Sequence, residues 1–196
     1  GGTIQNGVLE SGEVDYTTTY CSKYVVWQVV DINSDIHVGM GHSTPGKYME
    51  ILVGDTIYFD ASVGNDDREL WAHDTSNHST WQVVEINSGS GKSNPGLYME
   101  ILVGDTIYFS ADDGNDGQEL WAHNTTDHST WQVADIYSGI GWGSPGIYME
   151  ILVGDTIYFS ADDGNDGYEL WAHDTSNQST WQVADIYSGS DSSAPG

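Results

Sequence analysis

Pro-Gly recurs at residues 45–46, 95–96, 145–146 and 195–196, a strict 50-residue spacing. After each of the first three stands the same twelve-residue block, Tyr-Met-Glu-Ile-Leu-Val-Gly-Asp-Thr-Ile-Tyr-Phe, at 48–59, 98–109 and 148–159. Repetition at a period of 20–50 residues means an array of small units, each unable to bury its apolar face alone. Between 98–146 and 148–196, 39 of 49 positions are identical. The ten differences fall at 118/168, in 124–128 and in 140–144, with their counterparts 50 residues on. Apolar segments are constant and polar segments vary, as expected if the polar segments are surface loops. The chain of 196 residues divides into a degenerate unit over 1–46 and full units over 47–96, 97–146 and 147–196, together one repeat domain. In the degenerate unit Trp27 to Ile32 matches Trp81 to Ile86, while 14–26 is rich in β-formers and matches nothing else.

Within 98–146 the pattern is that of strands. Tyr98–Val103 is apolar, Gly104-Asp105 is a two-residue turn signal, and Thr106–Ser110 resumes the β-rich run, a hairpin signature. Asp112 to Gly117 is a turn, Glu119–His123 a third strand, Asn124–Ser129 a polar turn and Thr130–Tyr137 a fourth strand. Alternation along that last strand predicts Trp131 and Val133 on one face and Gln132, Ala134 and Ile136 on the other. No window carries a 3.6-residue apolar period with caps, so almost no helix is expected. Four short strands per unit predict an all-β chain of four four-stranded repeats arranged as a four-bladed β-propeller. The alternative is an open array of β units in a fibre. Trp71, Trp81 and their repeats are expected to fill the spaces between units.

Ile157 to Asp174, containing Glu169-Leu-Trp171, followed by Trp181 to Ile186 and the Pro-Gly loop, resembles the ELWxxDGT repeat of secreted and surface proteins of bacteria and archaea. The likeness covers 48–196 well and 27–46 in part. It departs at Asp174, which is followed directly by Thr175 where the family has Asp-Gly-Thr. The resemblance implies a propeller-like exported repeat protein, and the family carries no catalytic assignment. The acidity and the wording of the repeats are also similar to those of marine archaeal proteins.

There are 30 Asp and Glu against four basic residues, for a net charge of −26. Nucleic acid and anionic lipid both need cationic contacts, so neither is an expected partner. No run approaches the ~20 apolar residues of a membrane span, and membrane insertion is not expected. Eight Trp and 12 Tyr are enough for a core, which argues against acidic disorder. Cys21 is the only cysteine, so it is either a small buried residue or one half of an intermolecular disulfide.

Three groups of residues could carry chemistry. Asp112, Asp113, Asn115 and Asp116, with their copies Asp162, Asp163, Asn165 and Asp166, cluster oxygen ligands on a Gly-rich turn. That chemistry suits Ca²⁺, although Gly117 stands where an EF-hand wants a ligand. The other reading is a turn whose carboxylates cap their own backbone. Asn77, Asn124 and Asn177 each open an Asn-x-Ser/Thr acceptor in the same polar turn. Trp142, unique to one loop, and Tyr137 are candidates for contact with a ligand or partner, as is Cys21. His73, His123 and His173 recur beside the motif Trp; strand-end hydrogen bonding is expected of them rather than a shared metal. No nucleophile elbow is present, and acidic pairs that repeat in every unit are poor active-site candidates, so no catalysis is expected. These features predict an extracellular structural or adhesive repeat protein, a subunit of a surface filament or sheath whose partner is itself, head to tail. A carbohydrate-binding propeller that takes surface glycans is the alternative.

Overall fold

The computed structural model describes residues 29–30, 32, 42–63, 67–89 and 91–196, and these form three antiparallel four-stranded sheets without helix. The first comprises β1 (Glu50–Val53), β2 (Thr56–Val63), β3 (Asp67–Asp74) and β4 (Ser79–Val84). The second comprises β5 (Glu100–Val103), β6 (Thr106–Asp112), β7 (Gln118–Asn124) and β8 (Thr130–Ala134). The third comprises β9 (Glu150–Val153), β10 (Thr156–Asp162), β11 (Tyr168–Asp174) and β12 (Ser179–Ala184). Each is a meander in chain order. The unit expected over 1–46 lies largely outside the described residues.

The turns follow from the sequence. Val103 pairs with Thr106, leaving Gly104-Asp105 as the two-residue link. Gly104 has φ +60° and Asp105 is not in the left-handed region, the arrangement of a type II′ turn, where glycine supplies the positive φ. The β7–β8 turn instead places a non-glycine, His128, at φ +63°.

Ile107 to Ala111 are buried without a break, because the second sheet is covered on both faces. Its Ile107, Phe109 and Ala111 pack on Met49, Tyr58, Leu70 and Ile86 of the first full unit, 47–96, which with its sheet is called the first from here on. Its opposite face, with Tyr108, Leu120, Ala122 and Ile136, packs on Ile157, Phe159 and Ala161 of the third. The two interfaces are built from the same sequence on the same faces, so the array is head to tail. Of the tryptophans expected to fill the spaces between units, Trp121, Trp131 and Trp171 pack against these clusters, whereas Trp81 and Trp181 are exposed.

One expectation is corrected. Trp131 and Val133 share their cluster with Ala134 and Ile136. The cause is a β-bulge: Trp121 pairs with Gln132 but Leu120 with Ala134, so Val133 is an extra residue. Two residues then oppose one, and the alternation beyond the bulge is reversed. The same shift occurs in the other two sheets. The strand also ends at Ala134, so Ile136 reaches the core from the loop.

Candidate functional site

The residues that repeat in every unit converge on the seams within and between units. Glu119, of the Glu-Leu-Trp motif, is buried on β7. Its carboxylate accepts the backbone N–H of Ile136 at 2.7 Å, Tyr137 at 3.2 Å and Gly143 at 2.9 Å. Glu69 accepts from Ile86 N–H and from the Ser93 backbone and hydroxyl, and Glu169 from Ile186 N–H and the corresponding groups of Ser193. Each glutamate thus fastens the long loop that leads to the next Pro-Gly. Unpaired loop N–H groups would be costly to bury, and a carboxylate with several lone pairs satisfies two or three at once. The sequence reading overlooked these glutamates. Their signal was a single acid beside an apolar Leu-Trp-Ala run, present three times.

Burial raises Glu69 and Glu119 to about 7 against the hydrogen bonds that favour the charged form. At Glu169 desolvation still pushes upward, but the bonds from Ser193 and Ile186 outweigh it and the shift is downward. The motif is the same, but the loop offers Ser193 where Glu119 has Gly143, and no further sheet covers the third one among the described residues.

Pro-Gly completes the seam. A Cβ on Gly96 would stand 2.5 Å from Met49 Cβ, and one on Gly146 2.4 Å from Met99 Cβ. Only glycine allows that approach. Tyr58 lies against His123 with ring centroids 5.4 Å apart, and Tyr108 against His173 at 5.2 Å. His123 and His173 are buried, and each Nδ1 meets a cross-strand threonine hydroxyl, Thr130 or Thr180. Burial lowers both, His123 to about 4. The expected strand-end bonding of these histidines is found, with a strand neighbour in place of a loop.

In the acidic loop, Asp112 Oδ1 accepts Gly114 N–H at 2.7 Å, and Asp113 Oδ1 accepts Asn115 and Asp116 N–H at 2.8 and 2.9 Å. Asp162 and Asp163 repeat these bonds with Gly164, Asn165 and Asp166. This is Asx-turn geometry. Burial pushes Asp113 up, and the N–H groups of Asp116 and Asn115 with the Asn115 amide bring it below the usual range. A further carboxylate, Asp135, is raised by burial and by the nearby charges of Asp116 and Asp113. Among the described residues no group of three His, Cys, Asp or Glu is placed to hold a metal ion. The corresponding loop of the first full unit, Ser62 to Asp67, has fewer acidic groups, and its residues 64–66 lie outside the described residues.

The acceptor asparagines are not equivalent. Asn77 and Asn177 are exposed, and each Nδ2 donates to the aspartate that opens the turn, Asp74 or Asp174. Asn124 occupies that aspartate's own position. It is half-buried, and its Oδ1 accepts Thr126 and Asp127 N–H. The exchange of Asp and Asn between 124 and 127 conserves the turn and moves the acceptor into it.

Trp142 is 51% exposed, beside Gly117. Tyr137 is half-buried, and its ring lies over Gly141 of its own loop and Gly164 of the next acidic loop. It is therefore a joint between units rather than a free aromatic. Cys21 lies outside the described residues.

No family model matches the chain, and no curated protein matches it in sequence. Among solved structures, puromycin hydrolase is similar at 12% identity with a TM-score of 0.52, over 74% of this chain and 21% of that one. Its S511A mutant complexed with PGG gives 0.51 at the same identity and coverage. TolB from Acinetobacter baumannii is similar at 14% identity and a TM-score of 0.42, over 70% of this chain and 31% of that one. The chain thus spans about a fifth of the hydrolase, and at this identity the likeness concerns the fold alone.

Proposed function

We propose that the chain is an extracellular structural or adhesive repeat protein, a subunit of a surface filament or sheath, without catalysis. The supporting observation is where the repeated residues lie. The motif glutamate, the Pro-Gly loop and the Tyr–His pair all join one stretch of the array to the next. A residue kept in every copy for joining is a scaffold residue. Face-to-face packing of four-stranded meanders is in keeping with a propeller-like array, and the sequence likeness to secreted repeat proteins supports export. Electron microscopy of the purified chain tests the reading. Regular polymers are expected, and only discrete monomeric particles at every concentration would overturn it.

A second reading is favoured by Trp142 alone: a lectin-like surface that stacks sugar rings on an exposed aromatic. Glycan-array binding that is lost in Trp142→Ala would establish it. Calcium at Asp112, Asp113, Asn115 and Asp116 and at their copies has no three-carboxylate group behind it among the described residues, and calcium titration followed by calorimetry tests it.

A further inference from the structure

The geometry points to a covalent modification at one end of the array: Asn77 and Asn177 each carry an N-linked sugar, and Asn124, which opens the same sequence signal, does not. The inference rests on the exported reading above and adds to it which turns are modified.

Of the ten asparagines of the chain, only Asn77, Asn124 and Asn177 have Ser or Thr two places on. All three fall where the third strand of a unit passes to the fourth. In two units the asparagine stands within that turn. Asn77 is exposed together with Ser76, His78 and Ser79, and Asn177 together with Ser176, Gln178 and Ser179. The middle residue of the signal is left-handed in both, His78 at φ +62° and Gln178 at φ +61°, which folds the serine back on the asparagine. Asn77 Oδ1 accepts Ser79 N–H at 2.8 Å. Asn177 Oδ1 accepts Ser179 N–H at 3.0 Å and the Ser179 hydroxyl at 2.6 Å. Asparagine and serine are thus presented together on the outside of the folded chain. Each Nδ2 donates to the aspartate that opens the turn, Asp74 at 2.8 Å and Asp174 at 2.9 Å. A carboxamide nitrogen carries two hydrogens, so a sugar that replaces one leaves the other for that aspartate.

Asn124 differs at each point. It is the last residue of β7, half-buried, and pairs with Thr106 of β6. Its Oδ1 holds the N–H groups of Thr126 and Asp127 at 2.8 and 3.1 Å, and its Nδ2 reaches Thr106 Oγ1 at 3.4 Å. A sugar there would press on β6 and on the turn that this carboxamide starts.

The step is a glycosyl transfer from a sugar activated on a polyprenyl phosphate carrier. Asparagine Nδ2 bonds to the anomeric carbon. The bond from that carbon to the phosphate oxygen breaks, its electron pair goes to the phosphate, and one amide proton is released. Both modified turns lie beside the link between the first two strands of their units, where Thr75 and Thr175 donate to the carbonyls of Asp55 and Asp155 at 2.8 and 2.9 Å. Links in a meander alternate between the two ends of the strands, so the acidic loops and the loops fastened by glutamate lie at the other end. The sugars cover one end of the array and leave those loops clear.

Glycopeptide mass spectrometry of the full chain, purified from the cells that make it, tests the assignment. Sugar is expected on the peptides that contain Asn77 and Asn177 and absent from the peptide that contains Asn124. Asn77→Gln and Asn177→Gln are each expected to lower the intact mass by one glycan. Exchanging the two residues of the second unit, Asn124→Asp with Asp127→Asn, gives it the acceptor placement of the other two and is expected to add a third glycan, at position 127. Circular dichroism establishes that each variant is folded. Unmodified chain outside the cell overturns the modification and leaves the structural reading standing. Sugar on Asn124, or an exchange that adds none, overturns the role given to the turn. Chain found only inside the cell overturns both.

Discussion

At the scale of single residues, Glu69 and Glu119 join buried charge to loop position. Both titrate at about 7 in the folded chain, above the ordinary 4.5, with burial as the leading cause. Between those two values the folded state holds more protons than the unfolded state. Their contribution is therefore present below pH 4.5 and is lost as pH rises toward 7, with a slope of up to about 1.4 kcal/mol per pH unit for each group. Urea midpoints are expected to fall from pH 5 to pH 7.5, and Glu119→Gln is expected to flatten that dependence. An unchanged slope in the variant would show that the general acidity of the chain is the cause. Asp113 behaves in the opposite sense, since its shift is downward. Asp113→Ala is expected to cost about 1 kcal/mol through the lost Asx turn. If the carboxylate works only as a cap, EDTA will leave the wild-type melting temperature unchanged; a fall would instead support calcium.

Single elements are governed by what lies on their faces. Leu70, Leu120 and Leu170 occupy equivalent places on β3, β7 and β11, yet only the first two are buried. Leu120→Ala is expected to cost about 2–5 kcal/mol, as for a filled core site. Leu170→Ala is expected to cost less than half as much in a monomeric chain, measured by the same denaturant titration. Equal costs would mean that the third sheet is covered in solution. Gly96→Ala adds a methyl against Met49 at a residue with φ +77°. Both the collision and the backbone strain act against it, and the expected loss exceeds about 1 kcal/mol. Strand positions and turns were legible in the sequence because short β-rich runs, the Gly-Asp link and the polar turns are local signals. The bulge at Val133 was not, because it depends on how β8 meets β7.

The chain as a whole carries a charge of −26, and its three sheets are joined by apolar seams. Self-repulsion works against those seams, and monovalent salt screens it. The melting temperature is expected to rise between about 10 mM and 1 M NaCl, where the Debye length falls from ~30 to ~3 Å. The same rise should occur with a chelator present. The first unit adds a device of its own. Arg68 is paired with buried Asp60 and bonds Thr44, where the second unit has Gln118 and Ser110. Removing the arginine alone would leave Asp60 buried without its counter-charge, a loss of about 3 kcal/mol or more.

By itself the sequence determined that the chain is built of repeated β units, where the turns fall, and that its differences gather in the turns and loops and at the strand ends beside them. Those properties are local, set by side-chain period and by residues that accept particular backbone angles. Only the tertiary structure decided that Glu119 is a buried fastener, that Tyr137 is a joint and that Asn124 is half-buried within its turn. It also decided that one face of the third sheet is covered by no sheet among the described residues. Each of these depends on what a neighbouring unit places against a residue, and identical sequences acquire different exposure from different neighbours. Ile136 and Ile186 have the same local sequence and differ only in having a sheet on top of them.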